Sequence, residues 1–165
     1  MEIAPLKKKD LRSIVAIEKA SFPEPWSEAL LRSELDAGES RRYTKAVIEK
    51  NIVGYLGLMF VDDEVHVNTL AVLPDARGKG VASRLLLDGI RASLERAAIH
   101  MTLEVAVTNE GAQGLYRRFG MAPVGVRRGY YAQGEDALVM WARDLDSEIE
   151  CARRDVIAES LGLTL

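Results

Sequence analysis

Apolar residues recur along this chain in two rhythms, and the switches between them mark its elements. Leu11, Ile14, Val15 and Ile17 fall at helical spacing after Asp10, which predicts a capped helix to about residue 20, preceded by a first strand over 2–6. A second helix is expected after the Pro23/Pro25 break, capped by Ser27, with Leu30, Leu31 and Leu35 as its buried stripe and Gly38 as its stop. Strands at about 43–49, 52–60 and 64–73 follow, and the Lys50-Asn51 and Asp62-Asp63 turns suggest antiparallel hairpins. Leu85, Leu86, Ile90 and Leu94 then give the apolar face of a long helix over about 78–98.

Alternation returns at 101–107, with Met101, Leu103, Val105 and Val107 on a buried face and Thr102, Glu104 and Ala106 on the other. Asn109 caps a helix with Ala112, Leu115, Tyr116 and Phe119 on one face and Gly120 at its end. Gly111 and Gly114 cost that helix about 1 kcal/mol each against alanine, so it has to rest on tertiary packing. Strands at about 121–127 and 136–143 flank a loop over 128–135. The last stretch reads as a helical tail with Ile149, Ala152, Val156 and Ile157 on one face, docked on its own body in the simplest case. The expected organisation is one domain over 1–146 and a C-terminal helical tail over 147–165.

Composition narrows the class. The chain has 165 residues, 48% of them hydrophobic, enough for one domain with a sizeable core. No apolar run approaches a membrane span, and the amino-terminal residues lack the basic-then-apolar order of a signal peptide, so a cytoplasmic location without membrane attachment is expected. One cysteine, Cys151, excludes an internal disulfide, and with His66 and His100 as the only histidines no metal site is expected. A net charge of −3 offers nothing to nucleic acid, and the short basic clusters read as solvated faces. The oligomeric expectation is a monomer or weak dimer.

The candidate chemistry begins at Arg77-Gly78-Lys79-Gly80-Val81-Ala82-Ser83, where a glycine turn joins an apolar strand to a helix. Glycines let the main chain approach a ligand closely, and backbone amides at a helix start favour an anion. A Walker loop is not supported, because Gly80 precedes Val81 rather than Lys-Ser/Thr, and a dinucleotide fingerprint fails where Ser83 replaces its third glycine.

This run resembles the pyrophosphate loop of the GNAT acetyltransferases, and a second match makes the likeness specific. Asn109, Ala112, Leu115, Tyr116 and Gly120 stand as Asn-x-x-Ala-x-x-Leu-Tyr-x-x-x-Gly, similar to the helix that closes the acetyl-CoA site in that family. Within it, Phe-Pro-x-x-Trp-Ser at 22–27, Leu-Glu-Val at 103–105 and Tyr130-Tyr131 before Glu135-Asp136-Ala137 resemble the RimI-type protein N-terminal acetyltransferases. Ala106, where that group usually has arginine, and Met121, where it usually has phenylalanine, depart from it. His66-Val67-Asn68-Thr69-Leu70-Ala71-Val72 and Phe22-Pro23-Glu24-Pro25-Trp26 are similar instead to the archaeal and eukaryotic N-terminal acetyltransferase catalytic subunits.

The resemblance implies an α/β (α+β) GNAT fold, a mixed central sheet of about seven strands flanked by helices with a splayed acetyl-CoA cleft between the fourth and fifth. It implies acetyl-CoA as co-substrate, held by Leu70, Ala71 and Val72, by the loop from Arg77 to Ser83, and by Asn109 and Tyr116. Glu104 takes the general-base position, His66 the corresponding position of the other relatives, and Tyr116 the general-acid position. Phe22, Glu24, Trp26, Tyr130 and Tyr131 are implied to hold the acceptor, with Glu24 a third candidate base. Plainer accounts stand beside these: an exposed strand glutamate, a polar strand histidine, a solvated loop acid, a packed core tyrosine, a helix-capping asparagine and two loop aromatics.

Proton chemistry bears on the acceptor. An α-amine of reference pKa near 7.8 is about 14% neutral at pH 7, against about 0.04% for lysine near 10.4, a gap of roughly 3.5 kcal/mol. The expectation is acetyl transfer to the α-amine of a protein or peptide amino terminus. A small-molecule or lysine N-acetyltransferase and a non-catalytic acyl-CoA-binding regulatory module are the alternatives, since fold does not fix substrate.

Overall fold

The two rhythms resolve into seven strands and five helices. The computed structural model of the chain describes residues 1–164, so Leu165, the end of the expected tail, lies outside the described residues. In chain order the elements are β1 (Glu2–Pro5), α1 (Leu11–Ser21), α2 (Glu28–Asp36), β2 (Arg41–Ile48), β3 (Asn51–Val61), β4 (Glu64–Val72), α3 (Val81–Leu94), β5 (His100–Ala106), α4 (Glu110–Arg118), β6 (Ala122–Arg127), β7 (Ala137–Ala142) and α5 (Glu148–Ser160). The strands run in the order β1-β2-β3-β4-β5-β7-β6. The sheet is mixed: β1 with β2, β2 with β3, β5 with β7 and β6 with β7 are antiparallel, and β4 with β5 is parallel. No helix among the described residues is long and apolar enough to cross a membrane.

The elements group into two units, one of Met1–Phe60 with Asn68–Gly89, the other of Val61–Val67 with Ile90 onward. In the first, Leu11, Ile14 and Ile17 of α1 and Leu31 of α2 pack with Tyr43, Tyr55 and Ala71, and Phe22 and Trp26 of the α1–α2 connection lie against the same core. Ile14 is 0% exposed, a burial worth roughly 1.5–3 kcal/mol. In the second unit Met101, Leu103 and Val105 of β5, Tyr116, Phe119, Met140 and Leu145 are buried.

Several expectations need correction. Asp10 precedes α1 without capping it: its Oδ2 accepts the Lys7 N–H at 2.9 Å and Lys45 Nζ at 2.6 Å. Ser27 does cap α2, accepting the Leu30 N–H at 3.1 Å, but Leu30 itself faces outward and only Leu31 of the stripe is fully buried. The turn after β2 is made by Glu49 and Lys50, both at positive φ, one residue earlier than expected.

Helix α3 is shorter than the expected span at both ends, since Gly78 and Gly80 take φ of +72° and +74° and Ala97 takes +58°, all outside helical geometry. Val107 leaves β5 and is exposed. Gln113, rather than Ala112, joins Tyr116 and Phe119 on the buried face of α4. In α5 the expected stripe is turned: Arg154, Ile157 and Ala158 are buried, whereas Ile149 and Val156 are exposed.

Candidate functional site

In the second unit, β4 and β5 bring a histidine and a glutamate together. Parallel pairing sets Glu64 opposite His100, Val65 opposite Met101 and His66 opposite Thr102, which leaves Glu104 one same-face step beyond the partner of His66. His66 Nε2 lies 3.1 Å from Glu104 Oε2. The two residues that stood as rival bases in the sequence are therefore partners. Burial holds the His66 imidazole below its usual pKa; Glu104 pulls the other way, and Arg127 adds to the lowering.

The other carboxylate oxygen, Oε1, meets Nη2 of Arg127 at 3.1 Å. Sequence reasoning missed this residue, which read only as half of a solvated Arg-Arg pair. The register carries the signal: Arg127 pairs with Ala137 and Ala137 with Ala106, so only small residues separate this arginine from the row that holds Glu104. Arg127 also stands 5.6 Å from the centroid of the Tyr130 ring.

Tyr130 and Tyr131 meet edge to face at 5.0 Å, and the Tyr131 hydroxyl donates to the Glu104 main-chain carbonyl at 3.3 Å. Burial, with Tyr130 and the two acids Glu104 and Glu135 adding to it, pushes the Tyr131 phenol up to about 12. The loop that presents both rings is closed by the Tyr131 N–H on the Glu135 carbonyl, the Gly129 N–H on Asp136 Oδ1 and a Thr108–Glu135 side-chain bond.

Asn109 caps α4 as expected, its Oδ1 accepting the Ala112 N–H at 3.1 Å. The buried Gln113 locks that helix to the end of β5 through Nε2, which donates to the carbonyls of Ala106 and Val107. Tyr116 is buried, and burial first and Tyr131 second push its phenol well above the usual value. It is protonated throughout the neutral range, the state from which an acid must start.

In the first unit, Leu70, Ala71 and Val72 end β4, and Arg77 Nε donates back to the Val72 carbonyl at 3.1 Å, fixing the approach to the glycine turn. A Cβ added at Gly78 would meet nothing within 4 Å, so its left-handed φ and not crowding requires the glycine. Lys79 is exposed, Val81 and Ser83 are buried at the start of α3, and Arg84 N–H closes on the Gly80 carbonyl at 3.0 Å. A turn of two left-handed glycines running into a fourteen-residue helix suits the diphosphate of a CoA, with open space beside Gly78 for its approach.

Phe22, Glu24 and Trp26, the residues expected to hold the acceptor, occupy the α1–α2 connection, where Glu24 is exposed. Here too a residue had been missed. Glu18, 1% exposed, accepts the Trp26 N–H on Oε2 at 2.6 Å and the Tyr55 hydroxyl on Oε1, and Tyr55 lies 3.4 Å from the Thr69 hydroxyl. Its only mark in the sequence was its place beside Ile17 on the apolar face of α1.

Residues 11–121 match the acetyltransferase (GNAT) family. The chain belongs to the GNAT acetyltransferase family. It is an acyltransferase of that family, with the seven-stranded mixed sheet that the resemblance implied. A Bacillus subtilis relative with a provisional name of ribosomal protein bS18-alanine N-acetyltransferase is 37% identical over 139 residues, 82% of this chain and 91% of its own. The ribosomal protein bS18-alanine N-acetyltransferase of Salmonella typhimurium is 32% identical over 142 residues, 84% of this chain and 94% of its own. The crystal structure of the ribosomal-protein-S18-alanine N-acetyltransferase from Escherichia coli superposes with a TM-score of 0.80 at 29% identity, covering 87% of this GNAT chain and 93% of that one.

Proposed function

We propose that this protein transfers acetyl from acetyl-CoA to the α-amine of a protein or peptide amino terminus, as a RimI-like enzyme of the cytoplasm whose acceptor is a ribosomal protein beginning with alanine. The observation that carries the reading is the buried Glu104 carboxylate, touched by His66 and Arg127 and overlain at its main chain by Tyr131, in a chain whose relatives are named for this reaction. The acetyltransferase domain is taken as 1–146.

Bound acetyl-CoA supplies an acetyl thioester. The Gly78 and Gly80 turn is assigned to its diphosphate, and the amides of Leu70 to Val72 to polarising its carbonyl. Glu104 takes the proton of the attacking amine, with His66 as its neutral partner. The new N–C bond replaces the C–S bond, and Tyr116 gives its proton to the departing thiolate. General-base help of about 10²–10⁴ fits one positioned glutamate, and orientation supplies much of the remainder. Tyr130 and Tyr131, with Phe22 and Trp26, are assigned to the first residues of the peptide, with small first residues (alanine, serine or glycine) preferred.

A thiol-release assay with two peptide sets tests the reading. Peptides that begin with alanine or serine are acetylated at the α-amine, while the same peptides with a blocked terminus and one internal lysine react far more slowly, in line with the roughly 3.5 kcal/mol advantage of the α-amine at pH 7. Equal rates on the two sets would overturn the amino-terminal assignment in favour of a general amine acetyltransferase.

A further inference from the structure

Arg127 is placed unusually for the partner of a buried acid. The Glu104 side chain is 6% exposed and that of Arg127 58%, so a solvent-facing cation reaches inward to end on a carboxylate that solvent barely touches. His66 meets the other carboxylate oxygen, and burial, which holds its imidazole below the usual value, disfavours its charged form. The permanent positive charge on Glu104 is the guanidinium of Arg127, 3.1 Å from Oε1, whose remaining described contact is the face of Tyr130.

We propose that Arg127 is a stand-in for the substrate: its guanidinium occupies, on Glu104 Oε1, the place of the incoming α-ammonium, and the two cations exchange there. The inference rests on the assignment of Glu104 to the acceptor amine. Arg127 supplies the counter-charge that offsets part of the cost of burying the Glu104 carboxylate and holds it in place before substrate arrives, a modest contribution because the guanidinium is itself largely in water. About 86% of an α-amine of pKa near 7.8 is protonated at pH 7, so the arriving group is itself a cation with three donors and replaces the guanidinium charge for charge. The displaced arginine needs no new buried site, since most of its side chain is already in water and the ring face of Tyr130 stays beside it. Acetylation turns the ammonium into a neutral amide; of the two protons it sheds, one restores Tyr116 after that residue has protonated the thiolate and the other passes from Glu104 to solvent. The carboxylate so regenerated is balanced again by Arg127, whose return favours release of the product. Arg127 is thus a specificity-determining residue: an amino terminus already blocked has no charge with which to displace it.

The test uses the full chain and a peptide beginning with alanine, in free and α-acetylated forms. Arg127→Met keeps the stem and removes the competing cation, so KM and the calorimetric Kd for the free-amine peptide should fall about two- to fivefold, the range of an exposed ion pair, with no change for the acetylated peptide. Added methylguanidinium should compete with the peptide in Arg127→Met and scarcely at all in the unaltered protein. Arg127→Lys, which retains a cation, should give values between the two, and keeps the proposal testable if the Met variant folds poorly. Unchanged or weakened free-amine binding in Arg127→Met, or tightening of both peptide forms alike, overturns the exchange. Failure of the unaltered protein to acetylate the free peptide overturns the functional reading instead, so the two failures are distinguishable.

Discussion

Each unit of the chain buries a glutamate, and the two are held in opposite ways. Glu18 in α1 is 1% exposed and is met by two neutral donors, the Tyr55 hydroxyl and the Trp26 N–H. Burial pushes its carboxyl above the usual range, against the pull of those two hydrogen bonds. Glu104 in β5 is nearly as buried along its side chain but is met by His66 and by an arginine that reaches in from solvent. Fixed neutral donors suit an acid whose task is to hold a loop, because nothing in such a shell can leave without orphaning a buried group. An exposed counter-ion suits an acid that must receive a substrate. With Glu104 as the proposed base, burial alone does not separate a working carboxylate from a structural one; the exchangeability of its partners is the proposed difference.

The largest expected effect lies on the working side. Glu104→Gln keeps the shape and removes the proposed base, so kcat should fall about 10²–10⁴-fold with a smaller change in KM, measured by steady-state thiol release. Tyr116→Phe should likewise lower kcat more than it raises KM. His66→Ala removes the partner and not the base, so its loss should be smaller than that of Glu104→Gln. If His66→Ala abolished turnover while Glu104→Gln retained it, the base would have to be reassigned to His66.

Much of this contrast could be read in the chain before its fold, and the rest could not for a definable reason. Alternation over 101–107 sets Glu104 opposite Met101, Leu103 and Val105, and Gly120, read as the end of a helix, takes positive φ there, whereas the positive φ of Gly78 and Gly80 falls where the apolar spacing suggests helix. Period alone says which face a residue takes and nothing about register. The meeting of His66 with Glu104 follows from the parallel alignment of β4 on β5, and that of Arg127 from two successive antiparallel pairings through β7. Those are long-range choices that no local window contains. Glu18 was hidden for another reason: it shares a face with buried apolar residues, and its partners come from 8 and 37 positions away. In α5 several apolar positions were available, so the stripe of Ile149 and Val156 looked as good as the one the helix uses.

The structural side of the contrast gives the smaller effects, and they separate its two ingredients. Glu18→Ala leaves the Trp26 N–H and the Tyr55 hydroxyl without their acceptor, a cost of about 1–3 kcal/mol for an unsatisfied buried group, measured by urea denaturation. Its kcat should fall far less than that of Glu104→Gln; a loss as large would make Glu18 part of the chemistry and erase the distinction. Glu18→Gln is milder still, since the amide oxygen can accept from one donor and its NH₂ can donate to the tyrosine oxygen. What it removes is the titration. A carboxyl whose folded pKa is raised contributes stability that is fully present below its unfolded pKa, about 4.3, and lost as pH rises through the folded value. The unaltered protein should therefore lose ground to Glu18→Gln as pH rises above about 4.3, the gap in Tm between them shifting in favour of the glutamine variant until pH has passed the raised folded value. A gap independent of pH would mean that Glu18 titrates alike in the folded and unfolded chains, and that its burial does not outweigh the two hydrogen bonds that favour its charge.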